Sequence, residues 1–289
     1  MLEYIEEVVS AIEADPAVAT RQQAIRGLRQ LGLDDFGEVL LAMPDPRFPK
    51  LSRLLPAMAD ETTQRNWTGN CGLPLLKQTA VFVRTMSYSY SRLTGRALDS
   101  ATVLDYGCGY GRIARLMYYF TDEHCVHGVD PWDESIRLCR ECGLTTNFEV
   151  SDYLPVKLPV GEARFDLIYA FSVFTHLSQR ATLTALSALR RYIKPQGILV
   201  ITVRPIEYWG HDPHTDDAER SALKRLHNEV GFAFKPHNRS AVDGDITYGD
   251  TSMTLEWLER NASDWSLALA DRSLEDPFQR YLVLKPTDR

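Results

Sequence analysis

Val103-Leu104-Asp105-Tyr106-Gly107-Cys108-Gly109-Tyr110-Gly111-Arg112 is the stretch that decides the fold. A short apolar run of strand character passes into Gly-x-Gly-x-Gly. The apolar positions that follow, Ile113, Leu116, Met117 and Phe120, recur at i, i+3, i+4 and i+7, the spacing of one helix face. Glycines let the backbone turn tightly and let a ligand approach it closely. A helix start behind them favours electronegative groups. A glycine loop at the end of a strand is where open α/β sheets hold nucleotides.

Working outward, strand-length apolar runs alternate with helical periodicity over residues 101–204. Cys125–Val129, Asn147–Val150, Phe165–Phe171 and Ile198–Val203 read as further strands. Trp132–Cys142 and Ser178–Lys194 read as helices, the second stopping before Pro195 and Gly197. Such βαβ units imply a parallel sheet with right-handed crossovers. Residues 1 to about 70 read as several short helices, and Gly72 to about Leu93 as a long one with Pro74 in its first turn. After residue 205 come a polar loop, a helix through Leu223, Leu226 and Val230, a helical Thr251–Arg260, and two strands at Trp265–Ala270 and Arg280–Leu284.

The glycine loop does not fit a dinucleotide. That fingerprint needs G-x-G-x-x-G, and the third glycine would fall on Arg112. Asp105 at the strand end would repel a pyrophosphate, whereas a cationic sulfonium bearing an α-amino group has the opposite preference. The pattern therefore favours S-adenosylmethionine. Asp130 ends the next strand, where a carboxylate can accept from both ribose hydroxyls. Asp152 follows the third strand and can accept from an adenine amino group, with Tyr153 able to stack near the ring. Three strand-end acids beside one glycine loop form a far more specific set than any one of them.

On these motifs residues 101–204 resemble the class I S-adenosylmethionine-dependent methyltransferases. Val103–Gly111 resembles their first motif, Gly128-Val129-Asp130 the second and Ser151-Asp152 the adenine-contacting one. Phe165–His176 resembles the fourth-strand motif. The resemblance implies a doubly wound α/β fold with a seven-stranded, mostly parallel sheet whose last strand is antiparallel. It implies a methyltransferase domain over 98–289 with an insert at about 205–250, preceded by a helical N-terminal extension or lid, 1–97. It also implies S-adenosylmethionine as cofactor and S-adenosylhomocysteine as product. The cofactor set is then Asp105, Gly107, Cys108, Gly109, Gly111, Asp130, Pro131, Trp132, Ser151, Asp152, Tyr153 and Phe171. The loop after the fourth strand commonly faces the methyl group in this family. Its ionisable residue here is His176, the candidate general base for a hydroxyl acceptor.

Composition narrows the acceptor. The net charge is −7 and no Lys/Arg run is present, which disfavours a nucleic-acid partner. No stretch approaches the roughly 18 apolar residues that cross a bilayer. The acidic N-terminus lacks signal-peptide features, and five scattered cysteines make a poor disulfide framework. A cytoplasmic location is the expectation. Tyr169–His176 holds no carboxylate, which counts against the metal-dependent catechol type, and His211-Asp212-Pro213-His214 lacks a third ligand placed by periodicity. No metal is expected. The leading reading is methyl transfer to a small molecule, such as a sugar or natural-product hydroxyl, with residues 1–97 and 205–250 lining the acceptor pocket. The alternatives are a non-catalytic cofactor-binding regulatory module and an aminopropyl transferase of the same fold.

Overall fold

The structure is a computed structural model that describes residues 1–144 and 147–287. The chain divides into two compact units, Met1–Val150 and Ser151–Arg289. The fold is a seven-stranded mixed sheet, of which each unit carries a set of neighbouring strands.

In the first unit, β1 (Val103–Tyr106), β2 (Val126–Asp130) and β3 (Phe148–Val150) run parallel, with Val103 opposite Val126 and Gly128 opposite Phe148. Every residue of β1 is buried, Asp105 included, so the run that encodes it does not alternate between apolar and polar positions. Six helices precede it: α1 (Glu3–Ala14), α2 (Arg21–Leu28), α3 (Leu33–Ala42), α4 (Pro49–Leu54), α5 (Glu61–Thr68) and the 23-residue α6 (Gly72–Thr94). α1, α2, α3 and α6 turn apolar stripes inward, with Ile5, Val9, Leu28, Phe36, Val39, Phe82 and Val83 wholly shielded from solvent. Thr20 closes a capping box with Gln23, and Asp60 caps α5 through the Thr63 amide. Hydrogen bonds and ion pairs tie these helices to the loop that leads into β2. Gln22, Arg26 and Arg29 all reach Asp122, just before β2. The helical extension therefore belongs to the same compact unit as β1–β3. Helices α7 (Arg112–Met117) and α8 (Asp133–Glu141) follow β1 and β2. α7 stops at Met117, so Phe120 lies beyond the helix its spacing suggests.

In the second unit, β4 (Phe165–Ala170) and β5 (Ile193–Val203) are parallel. β9 (Arg280–Pro286) pairs antiparallel with β5 on one side and with β8 (Trp265–Arg272) on the other. The antiparallel closing strand is thus at the expected place. Helix α9 (Gln179–Tyr192), capped by Ser178, ends two residues earlier than Lys194. Ile193 pairs with Phe165 and opens β5 directly, and a register shift then carries the chain through Pro195 and Gly197. α10 (Asp217–Val230) stops at left-handed Gly231. The larger departure is a two-stranded antiparallel sheet, β6 (Phe232–Pro236) with β7 (Gly249–Met253). Thr251–Met253 is therefore strand, and the helix α11 (Leu255–Asn261) starts only at the Thr254 cap. Among the described residues no helix is long and apolar enough to cross a membrane.

Gly128 is the tightest point of the first unit's strands. A Cβ there would lie 2.3 Å from the ring of Phe148, which is 0% exposed. Overpacking a rigid core costs about 1–3 kcal/mol. Gly128→Ala should lower the thermal midpoint by on the order of 5 °C. An unchanged midpoint would mean that Phe148 does not fill the space opposite β2.

Candidate active site

In the first unit the glycine loop leaves β1 with Gly107, Gly109 and Gly111 all at positive φ (75°, 54° and 75°), a conformation that L side chains rarely adopt. At Gly111 space is also lacking, since a Cβ would meet Leu144 at 2.1 Å. The Gly107 and Cys108 amides donate to the Val129 carbonyl at 2.8 and 3.1 Å, joining the loop to the end of β2. Asp130, 9% exposed, completes the junction. Its carboxylate accepts from the Gly109 amide and from the Trp132 amide, both at 2.9 Å. Burial raises its pKa, against the opposing effect of those two amides and the Ser135 hydroxyl. These three contacts still leave acceptor capacity on a carboxylate that can accept about four hydrogen bonds.

The N-terminal helices reach this loop. Arg115, 2% exposed, donates to the Ala57 carbonyl and to the Tyr110 carbonyl, each at 2.8 Å. Arg112 grips Gln78 and Thr79 of α6 at 2.9 and 2.8 Å, which explains an arginine where a dinucleotide fold needs glycine. Trp67 of α5 stacks on Trp132 with ring centroids 4.7 Å apart and lies 3.8 Å from where a Gly109 Cβ would stand. Trp132 itself is 43% exposed, after Pro131 at the start of α8. Asp105 and Cys108 are buried within the strand and loop, and burial pushes the Cys108 thiol well up. The first unit thus brings together Asp105, Gly107, Cys108, Gly109, Gly111, Asp130, Pro131 and Trp132.

In the second unit Ser151 is buried, its hydroxyl without a hydrogen-bond partner among the described residues, while Asp152 and Tyr153 are exposed. Phe171 follows β4 and packs against Tyr281. The next residue, Ser172, holds a left-handed φ of 59°, pinned by its amide donating to Thr202 Oγ1 at 2.7 Å. Such a strained non-glycine turn persists only where its surroundings fix it, and it tends to mark functional sites.

That turn delivers His176 into a network absent from the sequence reading. His176 Nδ1 lies 2.7 Å from the Gly249 carbonyl, which can only accept, so Nδ1 carries the proton. Nε2 lies 3.2 Å from Arg204 Nη2, which can only donate, so its lone pair is engaged. Burial first, then the Arg204 charge, depress the ring's pKa to about 4 despite the nearby Asp250. Arg204 directly follows β5 and pairs with Asp250 of β7 at 2.5 Å, the two being 9% and 8% exposed. Asp250 also accepts from the Tyr208 hydroxyl at 3.0 Å and from His237 Nε2 at 2.8 Å. Burial alone would raise its pKa, but the His237 hydrogen bond and the Arg204 charge outweigh it and set it at about 2. Arg204 follows a strand as Asp130 does, a signal available in the sequence. Asp250 and His237 have none, because only the β6–β7 pairing brings them together; Tyr208 lies in the short turn Ile206–Gly210, just beyond Arg204. Beside them a cleft of ≈ 590 Å³ is lined by Pro205, Glu207, Asp271, Arg272, Phe278 and Arg280, among others. The His211–His214 loop is tied down instead, with Asp212 accepting from Thr215 and lying 3.7 Å from Lys235.

The half-buried His176 sets a pH dependence. The unfolded chain protonates this ring near 6.5, the folded protein only near 4. Between those values the unfolded state binds more protons, so stability falls as pH drops through the window, by about 3 kcal/mol in full. Denaturant midpoints taken from pH 7.5 to 4.5 should decline, and less steeply in His176→Gln. Parallel curves for the two proteins would place the proton uptake elsewhere.

Residues 103–197 match the family described as a methyltransferase domain. The chain is 26% identical over 174 residues to 2-methyl-6-phytyl-1,4-hydroquinone methyltransferase of a Synechocystis species, covering 55% of this chain and 52% of that one. It is 34% identical over 103 residues to trans-aconitate 2-methyltransferase of an Azoarcus species, covering 36% of this chain and 39% of that one. It thus spans about half or less of the curated relatives it matches. Its fold is also that of Streptomyces venezuelae DesVI, at 12% identity, 80% of this chain, 100% of that chain and a TM-score of 0.51. Residues 103–197 thus carry a methyltransferase domain of the S-adenosylmethionine-dependent kind.

Proposed function

We propose that the protein transfers a methyl group from S-adenosylmethionine to a hydroxyl of a small molecule, such as a sugar or a natural product. The observation that carries the reading is the left-handed glycine loop closed onto buried Asp130. Three glycines at positive φ open the backbone to a ligand, and Asp130 keeps acceptor capacity for a ribose hydroxyl. The residues present therefore fit the cofactor. S-adenosylmethionine supplies an electrophilic methyl group on a positive sulfur. The chain's own residues bind and orient. Asp130 would accept from the ribose, and Trp67 and Trp132 offer aromatic faces beside the loop. The buried Ser151 hydroxyl would gain a partner from a ligand, and Asp152 and Tyr153 stand exposed for the adenine.

Two relatives are named for small-molecule substrates, a hydroquinone and trans-aconitate. The ≈ 590 Å³ cleft is of ligand size and carries both charge signs with one phenyl ring, which suits a polar acceptor. Five cysteines, all free, suit a reducing cytoplasm.

S-adenosylhomocysteine should bind with measurable heat and quench or enhance the emission of the Trp67–Trp132 pair. Asp130→Ala should weaken that binding by about 1–3 kcal/mol, or roughly 5- to 150-fold. Absence of binding, or a thermal shift with NAD as large as that with S-adenosylhomocysteine, would reject the reading.

A further inference from the structure

The hydrogen bonds around Asp250 give the two neighbouring histidines opposite tautomers. In His176 both ring nitrogens are committed, Nδ1–H to the Gly249 carbonyl and the Nε2 lone pair to Arg204. In His237 only one is. Its Nε2 faces an ionised carboxylate at 2.8 Å and must be the protonated nitrogen. Nδ1 is then the lone-pair nitrogen, and it takes no hydrogen bond from any described residue. The ring is 39% exposed, against 17% for His176, so a ligand and solvent can reach it.

The rest of the cluster holds this pair in place. Arg204 fixes the other carboxylate oxygen and also donates to the Thr175 carbonyl at 3.0 Å. Tyr208 donates to that same oxygen while its ring lies under the Arg204 guanidinium at 3.9 Å. Tyr248 stacks on His176 at 5.0 Å and meets His237 edge-on at 5.4 Å, and the Arg239 guanidinium lies over the Tyr248 ring at 4.2 Å. Lys235 turns away toward Thr215 and Glu219. An imidazole whose N–H is held by a buried carboxylate, with its other nitrogen open, is the arrangement of a general base with its orienting acid.

We infer that His237 takes the acceptor's proton during methyl transfer and that Asp250 is its positioning residue. This rests on the methyltransferase reading above. The acceptor's hydroxyl oxygen forms the new bond to the methyl carbon. The carbon–sulfur bond breaks with its electron pair going to sulfur, which becomes a neutral thioether. The hydroxyl proton passes to His237 Nδ1. The resulting imidazolium is balanced by the Asp250 carboxylate and returns its proton to solvent. His176, with its lone pair held by Arg204, keeps the loop after β4 against β7.

The test uses the full-length protein in two measurements. Nitrogen-15 histidine NMR reads the tautomers directly. His237 should carry its proton on Nε2 and His176 on Nδ1 at pH 8, and Asp250→Asn should redistribute the His237 tautomers. Release of S-adenosylhomocysteine from S-adenosylmethionine is followed with 1,4-hydroquinone as the hydroxyl probe from pH 6 to 9. His237→Gln should lower kcat by about 10² to 10⁴-fold, flatten the acid limb of the pH profile and leave KM and S-adenosylhomocysteine affinity nearly unchanged. Asp250→Asn should fall less far, and Asp250→Glu should recover part of the loss. A His237 proton on Nδ1, tautomers indifferent to Asp250→Asn, or wild-type turnover in His237→Gln would each overturn the inference. So would a loss in His176→Gln equal to that in His237→Gln. If the wild type binds S-adenosylhomocysteine but does not turn hydroquinone over, the tautomers alone decide. If it does not bind S-adenosylhomocysteine, the methyltransferase reading fails instead.

Discussion

A carboxylate removed from water must find donors on nearly every side, and in each unit one such acid organises the site around it. In the first unit Asp130 collects the Gly109 and Trp132 amides, so a single group sets the shape of the glycine loop and the start of α8. In the second, Asp250 collects Arg204 and Tyr208 from the segment just after β5 and His237 from just past the end of β6. That convergence holds the β6–β7 hairpin at the end of β5. Removing one partner of a buried ion pair strands the other, at a cost of about 3–5 kcal/mol. Positioning the site and stabilising the fold are therefore the same task in both units.

How much of this a sequence discloses depends on how local the cause is. The strands β1 and β4 and residues 198–203 of β5 are buried on both faces, so their largely apolar runs announce them. The loop glycines are legible because positive φ at 107, 109 and 111 is a demand made by the backbone itself. Asp130 is legible because it ends a strand beside that loop. β6 and β7 are not. Phe232–Pro236 and Gly249–Met253 are short, carry proline or glycine at one end, and gain strand geometry only by pairing with each other. Thr251–Arg260 has helical spacing, yet Thr251 and Ser252 are fully buried by that pairing, and the helix begins after the Thr254 cap. Tertiary context overrode local pattern there, and it hid Asp250 along with the strand.

The same contrast separates the two histidines. Position after β4 singles out His176, a rule about where the chain passes. Reactivity depends on which nitrogen has a lone pair to spend, and that is set by partners 73 and 28 residues away for His176 and 13 residues away for His237. No periodicity carries such information.

One ion pair produces both outcomes. The guanidinium of Arg204 offers several N–H donors in a fixed plane, and it uses them on Asp250, Thr175 and His176 together. It thereby occupies the His176 lone pair and neutralises the Asp250 charge that His176 would otherwise exploit. The carboxylate, anchored through one oxygen, turns the other to the N–H of His237. A lysine could not substitute, since a single ammonium cannot span three acceptors in that geometry. The planar fork is what makes one ring a structural strut and leaves its neighbour with a nitrogen free for chemistry.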